Sequence, residues 1–369
     1  MTQTRRTFLK RSSLLAASLP LAPLARAGAE PVGPPSTPRR PLVTGSFIDI
    51  QHVNNWDAQH WIDECREWQD ENWSAIVADM KDAGLDTVIL TNCALWGRPL
   101  YPANRATVGR PWPLPCADPV GAIVRACERH GLDLYLGLGA FGRYSLNANP
   151  DLTPEHDAWL AAMAEDLREK YGHARALRGF YLSTEAHAIK GGGLFEVDDC
   201  AKTARFVRTI RERVPGAQLM MSPAHLGHPR PEQMDPLRRQ LEQLNVDIVA
   251  YQDHAGFEKL YPDLNFNVAA EGYRLIQPLH AATGQQMWVN CEVFDYTEKR
   301  PDGRRVCTPC AFERLQRQLL AAAPAADKLI IYQYQGLMNR RSEKVNIGGP
   351  GAEALLDAYL KFRARLLAS

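Results

Sequence analysis

The chain has 369 residues, with 43 Lys and Arg against 42 Asp and Glu, a formal charge of +1, and 45% hydrophobic residues. So even a balance excludes a nucleic-acid surface built on basic excess. Beyond residue 27 no apolar run approaches the roughly 20 residues that cross a bilayer, while the length suits one large domain with long loops.

Residues 1–27 read as an address. Arg5-Arg6 stands just before Phe8-Leu9-Lys10, an apolar stretch follows from Leu14 to Leu24, and Ala25-Arg26-Ala27 has the small-x-small form of a cleavage site. This order predicts twin-arginine export to the periplasm or the exterior, with no membrane attachment after cleavage. Residues 28–40 are proline-rich and aperiodic, which predicts a linker ahead of a domain over 41–369.

From Leu42 onward, strand-like runs alternate with helix-like segments. The predicted strands are Val43 to Ile48, Asp86 to Leu90, Asp133 to Gly137, Gly179 to Leu182, Gln218 to Met221, Asp247 to Ala250, Gln286 to Val289 and Leu329 to Tyr332. Between them, Trp73, Ile76, Val77 and Met80 form a helical stripe that Gly84 ends. Asp118-Pro119 opens a helix whose stripe is Val120, Ile123, Val124 and Cys127, stopped by Gly131. Thr153-Pro154 and Thr308-Pro309 predict two more helix starts, and the last helix runs near Ala352 to Leu367. Eight strands in strict β-then-α order predict an α/β fold, a single-domain (β/α)8 TIM barrel. No GxGxxG loop follows the first strand, which weighs against a dinucleotide-binding sheet.

There are eight cysteines, and Cys307-Thr308-Pro309-Cys310 has redox or metal-ligand spacing. No second such pair completes a four-cysteine zinc site, so a loop disulfide or two thiols is expected there.

A barrel places its chemistry just after each strand, at the C-terminal face. The polar residues at those places are Asp49, Gln51 and His52; Asn92 with Trp96; Arg143 beside Phe141; Glu185 and His187; Ser222 and His225; Gln252, Asp253 and His254; Asn290 and Glu292; Gln333 and Gln335. Asp, Asn, Gln and His side chains read sugar hydroxyls, and indole or phenol rings stack on pyranose faces, for which Trp56, Trp96, Trp112, Tyr251, Tyr296 and Tyr334 are candidates. Tyr181-Leu182-Ser183-Thr184-Glu185 and Met287-Trp288-Val289-Asn290-Cys291-Glu292 each end an apolar run in a carboxylate. Hydrolysis of a glycosidic bond needs one carboxyl to protonate the leaving oxygen and a second to attack or to activate water.

Glutamates ending the fourth and seventh strands resemble those of the large retaining barrel clan of glycosidases, although that clan usually has Asn-Glu where this chain reads Thr184-Glu185. The resemblance implies that Glu185 is the general acid/base and Glu292 the nucleophile. It also implies a carboxyl separation of about 5 to 5.5 Å. Gly45-Ser46-Phe47, Gly179-Phe180-Tyr181, Ser222-Pro223, the run Val246 to Asp253, and Trp288 to Phe294 resemble the DUF4434 group of glycoside-hydrolase-like barrels across the whole mature chain. That group's commoner Gln-Asp-Gly reads Gln252-Asp253-His254 here. The resemblance implies a barrel acting on carbohydrate, and a hydrolase of the two-carboxylate kind is expected to need no cofactor and no metal.

The expected substrate-binding set is Asp49, Gln51, Asn92, Trp96, His187, His225, Gln252, Asp253, Asn290, Tyr296 and Gln333. Two other readings compete. Glu185, His225, Asp253 and Glu292 are the donor types of a metal-dependent sugar isomerase or epimerase of the xylose-isomerase kind. A carbohydrate-binding barrel without catalysis would keep the readers and the aromatic platforms. Neither the glycan nor the state of assembly is legible in the sequence.

Overall fold

The computed structural model describes residues 39–51, 63–139, 153–183, 195, 197–224, 229–260, 266–299, 301 and 305–369. Among them, eight parallel strands close into a barrel: β1 (Val43–Ile48), β2 (Thr87–Leu90), β3 (Asp133–Gly137), β4 (Leu177–Leu182), β5 (Gln218–Met221), β6 (Ile248–Gln252), β7 (Gln286–Glu292) and β8 (Lys328–Tyr332). Each pairs with its chain neighbour, and β8 returns to pair with β1, so no edge is left open. The fold is therefore the (β/α)8 barrel that the alternation predicts.

Helices α1 (Asp70–Asp82), α2 (Pro119–His130), α3 (Pro154–Tyr171), α4 (Val197–Arg213), α5 (Met234–Leu244), α6 (Phe266–Thr283), α7 (Phe312–Ala322) and α8 (Pro350–Ala368) carry the crossovers and form the outer layer. The local signals operate as chemistry requires. Asp118 accepts the amide of Gly121 at 2.9 Å, and Gly131 closes α2 in the left-handed region at φ +65°. Thr153 caps α3 through the amide of His156 at 3.2 Å. The predicted stripe of α1 is fully buried.

Strands buried on both faces send alternate side chains to different cores. One set, Phe47, Ile89, Tyr135, Tyr181, Met220, Ile248, Ala250, Trp288 and Ile330, fills the barrel interior. The other set packs between sheet and helices in a much larger cluster. Whether a residue faces the barrel axis follows from its parity relative to the first set.

Two strand ends and one helix start differ from expectation. The seventh strand continues beyond Val289 to Glu292, because Glu292 is held in register against Tyr332 of β8. The sixth runs to Gln252, paired with Asn290. Thr308-Pro309 does not open a helix. Arg305–Pro309 instead pairs antiparallel with Phe294–Lys299, a hairpin rising after β7, and α7 begins at Phe312. A proline at the end of a short two-stranded ribbon sacrifices no ladder bond that the ribbon needs.

All eight cysteines are buried thiols. Of the two alternatives for Cys307 and Cys310, the structure has the thiols and not the disulfide. Burial pushes Cys310 up to about 11, opposite to the lowered value of a redox thiol.

Outside the barrel, Tyr251 meets Nε2 of His280 at 2.9 Å in a fully buried contact. Burial lowers the His280 pKa from 6.5 to about 3. The unfolded chain therefore binds a proton that the folded chain refuses, and stability is lost as pH falls from 6.5 towards 3. Thermal melts of wild type and His280→Gln between those limits should show the flatter pH dependence in the variant. Equal slopes would mean that His280 does not carry the acid sensitivity.

Candidate active site

Parity from the interior set points eight strand-end side chains at the barrel axis: Asp49, Ser183, Ser222, Gln252, Asn290, Glu292, Tyr332 and Thr91. The first six end β1, β4, β5, β6 and β7. Tyr332, at the end of β8, donates to Asp49 Oδ2 at 3.2 Å and packs on Phe47 at 5.7 Å between centroids. Ser183 ties the rim together, donating to the Thr91 carbonyl at 2.7 Å and accepting from the Gly139 amide at 3.1 Å.

Asn290 is 3% exposed. Its Nδ2 donates to Ser222 Oγ at 3.3 Å, and Ser222 in turn donates to the Ala250 carbonyl. The Oδ1 of Asn290 has no hydrogen-bond partner among the described residues. A buried acceptor left in that state costs about 1–3 kcal/mol, so it is placed to accept from a donor beyond the described residues.

Glu292 is 4% exposed. Its Oε2 accepts the backbone amide of Gly256 at 2.8 Å. Its Oε1 lies 4.0 Å from Nδ1 of His254, a through-space contact longer than a hydrogen bond. Gly256 sits in the short turn Ala255–Phe257 against the Phe294 ring, and a Cβ there would collide with that ring. Only glycine lets this amide approach the carboxylate so closely. His254 itself has φ +54° and ψ +18°, the left-handed region. A non-glycine side chain held there costs on the order of 1 kcal/mol.

Behind Glu292 lies a polar cluster turned towards the helices. Asp253 Oδ1 accepts the amides of Glu292 at 3.1 Å and Ala255 at 3.2 Å. Its Oδ2 accepts from Gln318 Nε2 at 2.5 Å. Gln318 also donates to the Glu292 carbonyl at 3.1 Å and accepts from Arg314 Nη1 at 3.1 Å. Arg314 completes the set, donating to the Phe294 carbonyl at 2.6 Å and pairing with Asp295 at 3.0 Å. Burial raises the pKa of Asp253, against the pull of Gln318, the Glu292 amide and Arg314. Burial acts to lower that of Arg314, but Cys310, Asp295, Asp253 and Glu292 together raise it.

The sequence-predicted residues therefore divide. Asp49, Gln252, Asn290 and Glu292 converge on the axis, with Gln252 donating to the Ser222 carbonyl at 2.9 Å. Gln51 and Asn92 are buried at the same end. Trp96 is 42% exposed on the turn between Ala94–Leu95 and Arg98–Pro99, edge-on to Trp112 at 5.6 Å.

Three expected hydroxyl readers are placed differently. Asp253 faces α7, its oxygens taken by protein donors, which also takes it from the ligand set of the isomerase reading. Gln333 has no exposed surface. Tyr296 is buried in the hairpin, its ring covered by the Arg305 guanidinium at 4.0 Å. Glu185, His187 and His225 lie outside the described residues, as do His52, Trp56, Phe141 and Arg143.

Sequence reasoning missed Tyr332 and Gly256 at the mouth and the pair Arg314 and Gln318 behind it. The last two had a signal: they stand four apart, each beside a buried leucine, Leu315 and Leu319, on a short helix.

Solved structures share this architecture. A protein of Bacteroides thetaiotaomicron VPI-5482 described as a candidate alpha-L-fucosidase superposes with a TM-score of 0.64 at 20% identity, over 89% of this chain and 97% of that one. An endocellulase from Pyrococcus horikoshii, solved with cellotetraose, gives 0.51 at 9% identity over 88% and 92%. A beta-galactosidase from Marinomonas ef1 gives 0.52 at 11% identity over 89% of this chain and 60% of that one. At these identities the likeness is one of fold. No curated protein sequence matches the chain. The model of one protein family matches residues 43–344, the whole barrel up to the segment before α8, and the chain belongs to that family, described as a domain of unknown function, DUF4434.

Proposed function

We propose that the protein is a glycoside hydrolase that cleaves a poly- or oligosaccharide by a retaining two-carboxylate mechanism. The observation that carries this reading is Glu292: a buried carboxylate on the inward face of β7, one oxygen fixed by the Gly256 amide, two residues from the open acceptor of Asn290. That neighbours with the same barrel are described as glycosidases supports the substrate class.

In this mechanism Glu292 attacks the anomeric carbon as the glycosidic C–O bond breaks, and Glu185 gives its proton to the departing oxygen. Glu185 then takes a proton from water, the water oxygen bonds to the anomeric carbon, and Glu292 leaves as carboxylate. The amide of Gly256 keeps a negative oxygen solvated by a fixed dipole and not by mobile water. Asn290, Gln252, Asp49 and Tyr332 orient sugar hydroxyls, and Trp96 offers an exposed indole at the rim. His187 and His225 are assigned to hydroxyl recognition on their sequence positions alone. No cofactor enters any step. The export signal over residues 1–27 places the mature protein in the periplasm or outside the cell, a proposal that rests on its sequence.

Glu185 is tested by leaving group. A natural glycoside needs a proton on its departing oxygen, whereas a dinitrophenolate leaves without one. Glu185→Ala should lose about 10²- to 10⁴-fold in kcat/KM on a glycan that wild type cleaves, while glycosylation by the matching dinitrophenyl glycoside survives. Equal losses on both substrates would remove Glu185 from the acid's role.

A further inference from the structure

The mechanism above leaves one titratable group at the carboxylate unused. His254 is 93% buried by difference from its 7% exposure, its Nδ1 is 4.0 Å from Glu292 Oε1, and its ring packs on Phe257 at 5.6 Å between centroids. It also occupies the left-handed region, where glycine would sit without strain and where the turn that follows supplies the Gly256 amide to the other oxygen of the same carboxylate. A strained backbone directly beside a buried carboxylate is where function is found. An imidazole that takes up a proton there faces the carboxylate with the opposite charge.

We propose that His254 is a positioning residue of the catalytic centre, an imidazole whose charge keeps Glu292 ionised and aimed at the anomeric carbon. This rests on the reading of Glu292 as the nucleophile. The Gly256 amide binds one oxygen of the carboxylate, and the imidazole stands 4.0 Å from the other. Because the contact is buried, water screens it weakly. Each partner favours the charged form of the other.

Other charges around His254 are part of the balance. Asp253 adjoins it at the end of β6. Arg314 reaches in from α7, where it interacts with both Asp253 and Glu292. Asp295 on the hairpin pairs with Lys259 at 2.8 Å and with Arg314 at 3.0 Å. Arg305 lies over Phe257 at 5.1 Å, on the ring that His254 packs against. All of these remain when Glu292 or His254 alone is changed, so a comparison of variants isolates the one contact.

The first arm of the test needs no substrate. The protein has 10 histidines, and proton–carbon NMR of labelled imidazoles, with His254→Asn to assign the signal, follows each one through pH. Glu292→Gln removes the carboxylate charge and keeps its shape, so the His254 pKa should fall by about one unit relative to wild type, a tenfold change in proton affinity. Asparagine tolerates the left-handed backbone, so His254→Asn should fold normally. Losing a positive neighbour raises the pKa of Glu292, so the acid limb of its kcat/KM profile should move up by about one pH unit. A His254 signal that titrates identically in wild type and Glu292→Gln overturns the proposal, whatever the fate of His254→Asn. If Glu292→Gln turns over normally, the nucleophile reading fails and the role of His254 falls with it. If Glu292→Gln is inactive while His254 titrates unchanged, only the His254 proposal fails.

Discussion

Replacing Glu292 by glutamine should lower kcat by about three orders of magnitude or more, a loss of about 4 kcal/mol or more of transition-state stabilisation. The amide preserves the volume of the side chain and still accepts from Gly256, so folding should be retained. What it cannot do is form the glycosyl ester, because an amide oxygen lacks the charge that attacks an oxocarbenium-like carbon. Glycan affinity should stay near that of wild type, since Asn290, Gln252 and Asp49 are untouched. Single-turnover assays with calorimetric binding to the same oligosaccharide separate the two effects. A variant that binds poorly but turns over what it binds would recast Glu292 as a hydroxyl reader.

The barrel was legible because its two periodicities are short-range chemistry. Caps such as Asp118 and Thr153, stripes such as Trp73, Ile76, Val77 and Met80, and apolar runs of strand length all act within a few residues of chain. The candidate site was legible only to the level of strand ends. A strand buried on both faces has no polar alternation, so nothing local says that Glu292 faces the axis while Asp253 faces α7. That difference comes from register: Gln252 lies opposite Asn290, and Tyr332 opposite Glu292. The same register turns Tyr332 inward. Tyr296 was misplaced for another reason, since the hairpin that buries it forms through pairing with Arg305–Pro309, a contact invisible in either segment alone. The left-handed backbone at His254 had a sequence cue, the departure from the commoner Gln-Asp-Gly, but its distance to Glu292 did not.

The cluster behind Glu292 should hold the second large effect, one on stability. Asp253→Ala removes the acceptor of two amides and of Gln318, and takes one of three carboxylates from around the buried Arg314, leaving Asp295 and Glu292. Breaking a buried charged network from one end costs about 3–5 kcal/mol, which in a domain of this size should lower Tm by about 5–10 °C. Asp253→Asn is the sharper test of the wiring. Its Oδ1 can still receive both amides, but its NH₂ would face the Gln318 NH₂, two donors at what was a 2.5 Å hydrogen bond. Gln318 can flip to accept only by turning its own NH₂ towards Arg314, which is itself a donor at 3.1 Å. The clash has no internal solution, so Asp253→Asn should be destabilised despite being nearly isosteric. Gln318→Glu in that background should recover part of the loss, because a carboxylate accepts from both the new amide and the guanidinium but gives up the donor to the Glu292 carbonyl. A double-mutant cycle by thermal unfolding measures the coupling. Additive losses in Asp253→Asn/Gln318→Glu would show that the two side chains do not form the relay through which α7 holds the end of β7.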